Sequence, residues 1–231
     1  MVLPAHNESS FLRRTVGELA GGLGGAGRPF ELLVVENGST DDTLAVAEAL
    51  AAEEPSVRVL SLPEADYGGA LRTGLLDSRG DVVVTFDVDY YDLAFLDQAV
   101  ALLSGPGAPA IVVGSKRASG SRDERPWARR LVTAVFSLML RGGFGLGVSD
   151  THGMKALRRD AVEPVARSCR FGADLFDTEL ILRAERAGLA VVELPVVVQE
   201  RRPSRTPIAR RAARTVLGLA RLRATLWRER T

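Results

Sequence analysis

Two hydrophobic periods alternate through the first half of the chain. Short apolar runs rich in Val, Leu and Ile fall at 1–5 (MVLPA), 30–35 (FELLVV), 57–61 (VRVLS), 81–86 (DVVVTF) and 110–114 (AIVVG). Between them, residues 8–23, 41–53 and 69–77 carry apolar positions at helical spacing. Ser9 or Ser10 is available to cap the first of these helices, and Asp41 or Asp42 the second. Continuous apolar strands separated by amphipathic helices predict an α/β fold built on a mostly parallel sheet flanked by helices. Crossover connections bring the carboxyl ends of such strands to one edge, where ligands of open α/β sheets bind. The loops that follow the strands are therefore the places to look for chemistry.

Beyond Arg117 the alternation weakens. A Gly, Ser and charge-rich stretch (RASGSRDERP, 117–126) reads as a mobile loop over 118–126, followed by a helix from Trp127 to Leu140 and the Gly-rich GGFGLG. A helix at 176–187, a strand at 190–198 and a long basic helix complete the pattern. The chain thus divides into a body, 1–206, and a helical tail, 207–231.

Composition narrows the class. With 231 residues, 46% apolar and 26% charged, the chain can bury a sizeable core, which excludes disorder, collagen and a disulfide scaffold. The single cysteine, Cys169, has no partner within the chain and reads as a small buried hydrophobe. No apolar run reaches 18 residues and the first residues lack the zones of a signal peptide, so the expected location is cytoplasmic.

Charge is unevenly spread. Residues 200–231 hold ten arginines against two glutamates, net +8, which leaves −7 for residues 1–199 of an overall +1. At about 100° per residue, Ile208, Ala212, Val216, Leu219, Leu226 and Trp227 gather on one side of the tail helix. Arg210, Arg211, Arg214, Arg221 and Arg228 gather on the other, with Arg223 out of place. Such a helix either packs on its own domain with a solvated basic face or lies in the plane of an anionic membrane surface. An acidic body without a base-reading motif argues against nucleic acid as a partner.

Asp87-Val88-Asp89 directly follows the buried run VVVTF. Residues i and i+2 of an extended chain face the same way, so both carboxylates can address one hard cation at the ligand edge. Three further loops bring polar residues to that edge: Pro4-Ala5-His6-Asn7-Glu8, Glu36-Asn37-Gly38-Ser39-Thr40-Asp41-Asp42 and Asp66-Tyr67-Gly68-Gly69-Ala70. Arg72 and Lys116 are available as cations for an anionic leaving group. Asp150-Thr151-His152-Gly153 forms a second cluster. Asp150 suits a general base for a hydroxyl acceptor, and an already ionised phosphate acceptor needs none. His152 suits a third metal ligand, a proton carrier or a satisfied structural histidine.

VLPAHNE, VVENGSTDDT, YGGALRTG and FDVD, in that order, resemble the family 2 glycosyltransferases of the GT-A fold. The resemblance continues through GSKR, SDTHGMKALRR, FDTELILRAERAG and VELPVVVQERRPSRTPI, where it is closest to the dolichyl-phosphate or polyprenyl-phosphate hexose synthases. It implies a nucleotide-sugar donor of the GDP-mannose or UDP-glucose type, Mg²⁺ or Mn²⁺, a polyprenyl-phosphate acceptor, inversion at the anomeric carbon and a peripheral place at the inner membrane face. By position, Pro4, Glu8 and Glu36 would hold base and ribose, with Gly38, Ser39, Gly68 and Arg72 around the donor and Asp87 and Asp89 on the metal. Asp150 and Arg202 fall at the catalytic positions, with Lys116, Arg117, His152, Glu179 and Arg201 on the acceptor side. The arginines suit phosphate oxygens bidentately, and Glu179 would orient their loop. Three positions depart from the family: Glu36 replaces an Asp, His6 a Tyr, and Tyr91 stands where a metal-contacting Gln is usual, which leaves Asp92 or water for that place. The alternatives are a family 2 enzyme with a hydroxyl acceptor and Asp150 as base, or a nucleotide-sugar-binding module without turnover.

Overall fold

A computed structural model of the protein describes residues 1–25, 27–123, 127–198 and 208–229. Alternation holds through β1 (Val2–Ala5), α1 (Ser9–Gly25), β2 (Leu32–Asn37), α2 (Thr43–Glu53), β3 (Val57–Leu62), α3 (Tyr67–Asp77), β4 (Val82–Thr85), α4 (Leu93–Leu103) and β5 (Ile111–Ser115). There follow β6 (Arg122–Asp123), α5 (Trp127–Phe144), β7 (Lys155–Arg158), α6 (Arg159–Ser168) and a short 3-10 turn at Ala173–Leu175. The chain continues as α7 (Phe176–Arg186), β8 (Val191–Pro195), β9 (Val197–Val198) and α8 (Ile208–Arg228).

Seven strands form one sheet in the order β3-β2-β1-β4-β7-β5-β8, and β6 pairs with β9 in a separate parallel ribbon. Only β7 runs antiparallel to its neighbours, β4 and β5. The carboxyl ends of the parallel strands therefore share an edge with the amino end of β7, which feeds residues 150–155 into the same crevice. Strand β2 shows how the layers are divided. Leu33 and Val35 face a core shared with α3, α6, α7 and α8, while Leu32 and Val34 face one shared with α1, α2 and α4. Alternating side chains that are apolar on both faces are what a central strand between two helical layers requires. Helix α3 reaches the sheet because residue 74 lacks a side chain; a Cβ at Gly74 would stand 2.3 Å from Val2 Cγ1.

Some elements differ from the sequence reading. Strand β7 has Lys and Arg at its ends, so its four residues show no apolar run; Lys155 is nonetheless buried because Asp177 neutralises it. Helix α6 is masked in sequence by its charge and by Pro164, and α5 extends through Gly142 and Gly143 to Phe144. The run at 190–198 divides into β8 and β9. Residues 118–123 are not a free loop. Ser121 Oγ donates to Ser115 O at 2.6 Å and Arg122 joins the ribbon, while Glu124, Arg125 and Pro126 lie outside the described residues. Cys169 is buried, and desolvation pushes its thiol up to about 12, as befits a packing residue.

Helix α8 belongs to the core. Leu219, Leu222 and Leu226 are buried in the layer that holds Leu175, and Val216 and Trp227, expected on the packed side, face solvent. The packed stripe is rotated toward Leu222 because Gly218 allows Leu175 to seat there and Arg223, the residue out of pattern, donates to Gly143 O. Glu229 ties the helix end to Arg183 at 2.8 Å. Leu222→Ala should cost about 2–5 kcal/mol in urea unfolding. Leu217→Ala, at a side chain 63% exposed, should change stability by less than about 0.5 kcal/mol. Equally small effects would show that α8 lies off the body.

Candidate active site

The edge is built from its central strand outward. After β4 the chain turns tightly, with Asp87 and Tyr90 exchanging backbone hydrogen bonds at 3.2 Å. Val88 points into the core, and its carbonyl accepts from Thr15 Oγ1 at 2.7 Å. Val88 is buried while Asp87 and Asp89 are partly exposed, and the two acids lie in a tight turn closed by Asp87 and Tyr90 rather than on the extended run that their i, i+2 spacing suggested. The Tyr67 phenol donates to Asp87 Oδ1 at 2.7 Å. Burial pushes the Asp87 carboxyl above its usual range, and the negative charges of Asp89 and Asp177 add to that, against the Tyr67 hydrogen bond and the Lys155 ammonium.

The donor set fits a hard cation, because two carboxylates are kept close together against burial and mutual repulsion, and oxygen ligands suit Mg²⁺ or Mn²⁺. Among the described residues no third acidic, His or Cys side chain joins them. Asp92 does not take that place; its Oδ1 caps α4 by accepting from Ala94 N and Phe95 N at 2.8 and 3.2 Å. Tyr91 turns to Glu18.

The first two loops form a single hydrogen-bonded wall. Asn7 adopts φ 57° and its side chain accepts from Thr40 N, while Ser39 Oγ accepts from Asn7 N. Glu8 N donates to Thr43 Oγ1 at 2.7 Å, and Pro4 is buried within β1. Glu36 lies beneath this wall. Its two oxygens accept from Ser39 N at 2.5 Å and Ser61 Oγ at 2.9 Å, so the carboxylate shapes the Asn37-Gly38-Ser39 turn. Gly38, at φ 63°, packs against the backbone of Glu64 and Ala65, where a Cβ would stand 2.8 Å away. Arg72 departs from the expected place: its guanidinium donates to Ala166 O and Arg167 O, satisfying the carboxyl end of α6 rather than facing the donor edge.

Residues 149–155 close the other side. Glu193 on β8 accepts from Ser149 N, Ser149 Oγ and Asp150 N, and Asp150 Oδ1 accepts from His152 N at 3.0 Å. Asp150 Oδ2 is buried without a hydrogen-bond partner, and Lys116 Nζ stands 3.9 Å away, beyond hydrogen-bonding range. The His152 ring stacks edge-on to Phe136 of α5, centroids 5.3 Å apart, beside Thr151 Oγ1, which suits its structural reading. Arg117 is exposed, its amide donating to Ser115 Oγ. Glu179 is fully buried and accepts from Arg170 N, Phe171 N and Arg183 Nε at 2.8 Å, so it orients the 170–171 turn. Arg201 and Arg202 lie outside the described residues.

Four residues at this edge carry more than sequence reasoning gave them: Tyr67, Lys155, Asp177 and Glu193. Lys155 Nζ bonds Asp177 Oδ1 at 2.9 Å and Gly153 O at 2.8 Å, and Thr178 of the same helical turn meets Thr151 at 3.0 Å. A signal was present, since Lys116 and Lys155 are the only lysines of the chain and both stand here.

The family model described as glycosyl transferase family 2 matches residues 1–165. The chain belongs to that family. Among its relatives in glycosyl transferase family 2 is the undecaprenyl-phosphate mannosyltransferase of Micrococcus luteus, 31% identical over 210 residues, covering 87% of this chain and 83% of the relative. Glycosyltransferase AglD of Haloferax volcanii is 31% identical over 85% of this chain, which spans only 32% of that longer protein. Glucosyl-3-phosphoglycerate synthase of Mycobacterium tuberculosis, solved with Mn²⁺, UDP-glucose and phosphoglyceric acid, superposes with a TM-score of 0.66. It is 28% identical, with 96% of this chain and 78% of that one covered. This glycosyltransferase family membership agrees with the GT-A sheet and with an enzyme as the chain's class.

The charge deficit at Asp87 has a consequence for stability. A carboxyl raised in the folded state destabilises the metal-free protein as pH climbs through and above the ordinary carboxylate range. Asp87→Asn, which keeps an acceptor for Tyr67, should therefore raise the metal-free Tm by a few degrees at neutral pH and lose that advantage below about pH 4. It should also abolish the stabilisation that Mn²⁺ with nucleotide gives the wild type. Calorimetry across pH checks this, and an unchanged Mn²⁺ increment would contradict the assignment.

Proposed function

We propose that the protein transfers a hexose from a nucleoside-diphosphate sugar to a polyprenyl phosphate at a membrane surface, with Mg²⁺ or Mn²⁺ held by Asp87 and Asp89. One observation carries the lipid part of this reading: α5 joins the acceptor side of the site to an exposed apolar face. Its inner side holds residues 149–152, through Ser137 Oγ on Ser149 O at 2.7 Å and Phe136 on His152. Its outer side exposes Trp127 (76%), Leu131, Val135 and Leu138 (72%), spaced as one helical stripe, with Met139 beside them. No acidic residue occurs in α5, and Arg130 and Arg141 flank the stripe, a pattern that suits anionic lipid. Among the described residues no helix is long and apolar enough to cross a membrane. The relative named for undecaprenyl phosphate supports the same acceptor class.

The chemistry follows from charge. The acceptor oxygen bonds to the anomeric carbon as the bond to the diphosphate oxygen breaks, and attack from the opposite face inverts that centre. A bound cation supplies charge neutralisation for the departing diphosphate. Asp87 and Asp89 would hold it, the Asn37-Gly38-Ser39 turn and Glu8 would bound the nucleoside, and Lys116 would face the phosphates. A phosphate acceptor arrives ionised, so no proton has to leave and Arg201 and Arg202 would serve as its counter-charges. Both carboxylates of the pair are present, which favours turnover over a binding role.

A second reading has its own observation. The buried Asp150 Oδ2, which accepts no hydrogen bond and has Lys116 Nζ 3.9 Å away, is suited to take a proton from a hydroxyl acceptor, as the likeness to glucosyl-3-phosphoglycerate synthase would favour. Transfer of labelled hexose from UDP-glucose and GDP-mannose, to undecaprenyl phosphate in detergent and to soluble hydroxyl acceptors, separates the two. The lipid reading predicts a Mn²⁺-dependent lipid product and less than about a 10-fold loss in Asp150→Asn. Product on soluble acceptors alone, with a loss of about 100-fold or more in Asp150→Asn, selects the hydroxyl reading. Leu131→Glu with Leu138→Glu should abolish sedimentation with anionic liposomes yet spare transfer in detergent. Unchanged sedimentation would remove α5 as the lipid face.

A further inference from the structure

Resting on the reading of Asp87 and Asp89 as the cation's ligands, we propose that Tyr67 is a positioning residue for that cation, its phenol fixing the Asp87 carboxylate before metal arrives. The bond from Tyr67 Oη to Asp87 Oδ1, 2.7 Å long, joins two backbones that are each held in place. Asp87 is held by its paired hydrogen bonds with Tyr90.

Tyr67 opens α3, whose start is fixed from two directions. Asp66 caps the helix by accepting from Gly69 N at 2.9 Å and reaches across to Ala173 N at 2.5 Å. Gly68 lies flat on the Gly172–Ala173 backbone, where a Cβ would come within 2.7 Å, and Ala173 itself sits at φ 47°. Neither end of the hydrogen bond can drift without breaking these contacts.

The chemistry of the donor matters as much as its place. A lysine or arginine beside Asp87 would neutralise the charge that a divalent cation needs, and Lys155, the ammonium nearby, is already paired with Asp177. A phenol takes up one lone pair, orients the carboxylate and leaves its charge in place. The ordering of a ligand side chain is then complete before the cation binds, which raises affinity without a new metal contact.

Isothermal titration of Mn²⁺ into protein saturated with UDP or GDP, whichever the wild type binds, tests this with Tyr67→Phe. The variant keeps the ring and removes only the hydroxyl. Its Mn²⁺ affinity should fall by about 10-fold or more, the effect of losing an outer partner of a metal ligand, while its metal-free affinity for the nucleotide stays unchanged. An unchanged Mn²⁺ affinity overturns the proposal. So does an equal fall in metal-free nucleotide affinity, which would make Tyr67 a nucleotide contact or mark a disturbed fold. If the wild type itself binds no Mn²⁺, the reading of Asp87 and Asp89 fails rather than the role of Tyr67 alone.

Discussion

A lysine buried at the amino end of the one antiparallel strand joins the two halves of this protein. Lys155 lies opposite Thr85 of β4 and Val113 of β5, inside the sheet, and an ammonium there persists only if it is paired. Asp177 and Gly153 O supply the partners. That requirement draws the first turn of α7 against residues 151–153 and sets both beside the turn that carries Asp87. The loop at 151–153 and the start of α7 are thereby tied together by one ion pair beside the Asp87 turn, and removing either partner would leave an uncompensated buried charge costing about 3–5 kcal/mol.

Electrostatics across the edge is accordingly unbalanced. Lys155 is bonded to Asp177, Arg72 to the end of α6 and Arg183 to Glu179 and Glu229, so each holds the frame, and Lys155 offsets only part of the upward push on Asp87. Asp87 and Asp89 remain close enough to repel, and Asp150 keeps one buried oxygen unpartnered. A carboxyl pushed up by burial, Asp87, and a buried carboxylate oxygen that accepts no hydrogen bond, on Asp150, each weaken a folded chain, and their place at one edge of the sheet marks it as the candidate ligand site.

The sequence made the parallel half legible because apolar runs such as LLVV and VVVT are long, continuous and followed by turn residues. The carboxylate pair was legible for the same reason, since its place after a buried strand is encoded locally. What escaped reading depends on distant partners. Strand β7 shows no apolar pattern because its lysine is compensated by a residue 22 positions away in helix α7. Arg72 looked like a donor-site cation, but the last carbonyls of α6, on Ala166 and Arg167, accept its hydrogen bonds. In α8 the helical wheel gave the right kind of helix, with Leu219 and Leu226 buried as on the apolar side, but the seam is rotated away from Val216 and Trp227, because Gly218 and Leu175 decide how the helix rotates and no single-helix pattern contains Leu175.

The proposed membrane face differs from the sequence expectation in the same way. Charge asymmetry left the tail helix either packed on its own domain or lying on a membrane; the burial of Leu219, Leu222 and Leu226 bears out the packing, and the exposed stripe Trp127, Leu131, Val135 and Leu138 makes α5 the proposed lipid face. The lipid-facing role and the donor site are separable claims, and the donor site is the more basic of the two. Crystals soaked with MnCl₂ and UDP or GDP, measured at the manganese edge, test it most directly. One anomalous peak bonded to the Asp87 and Asp89 carboxylates and to the diphosphate is expected. A nucleotide bound away from the carboxyl edge of β4, or manganese without contact to either aspartate, would contradict it.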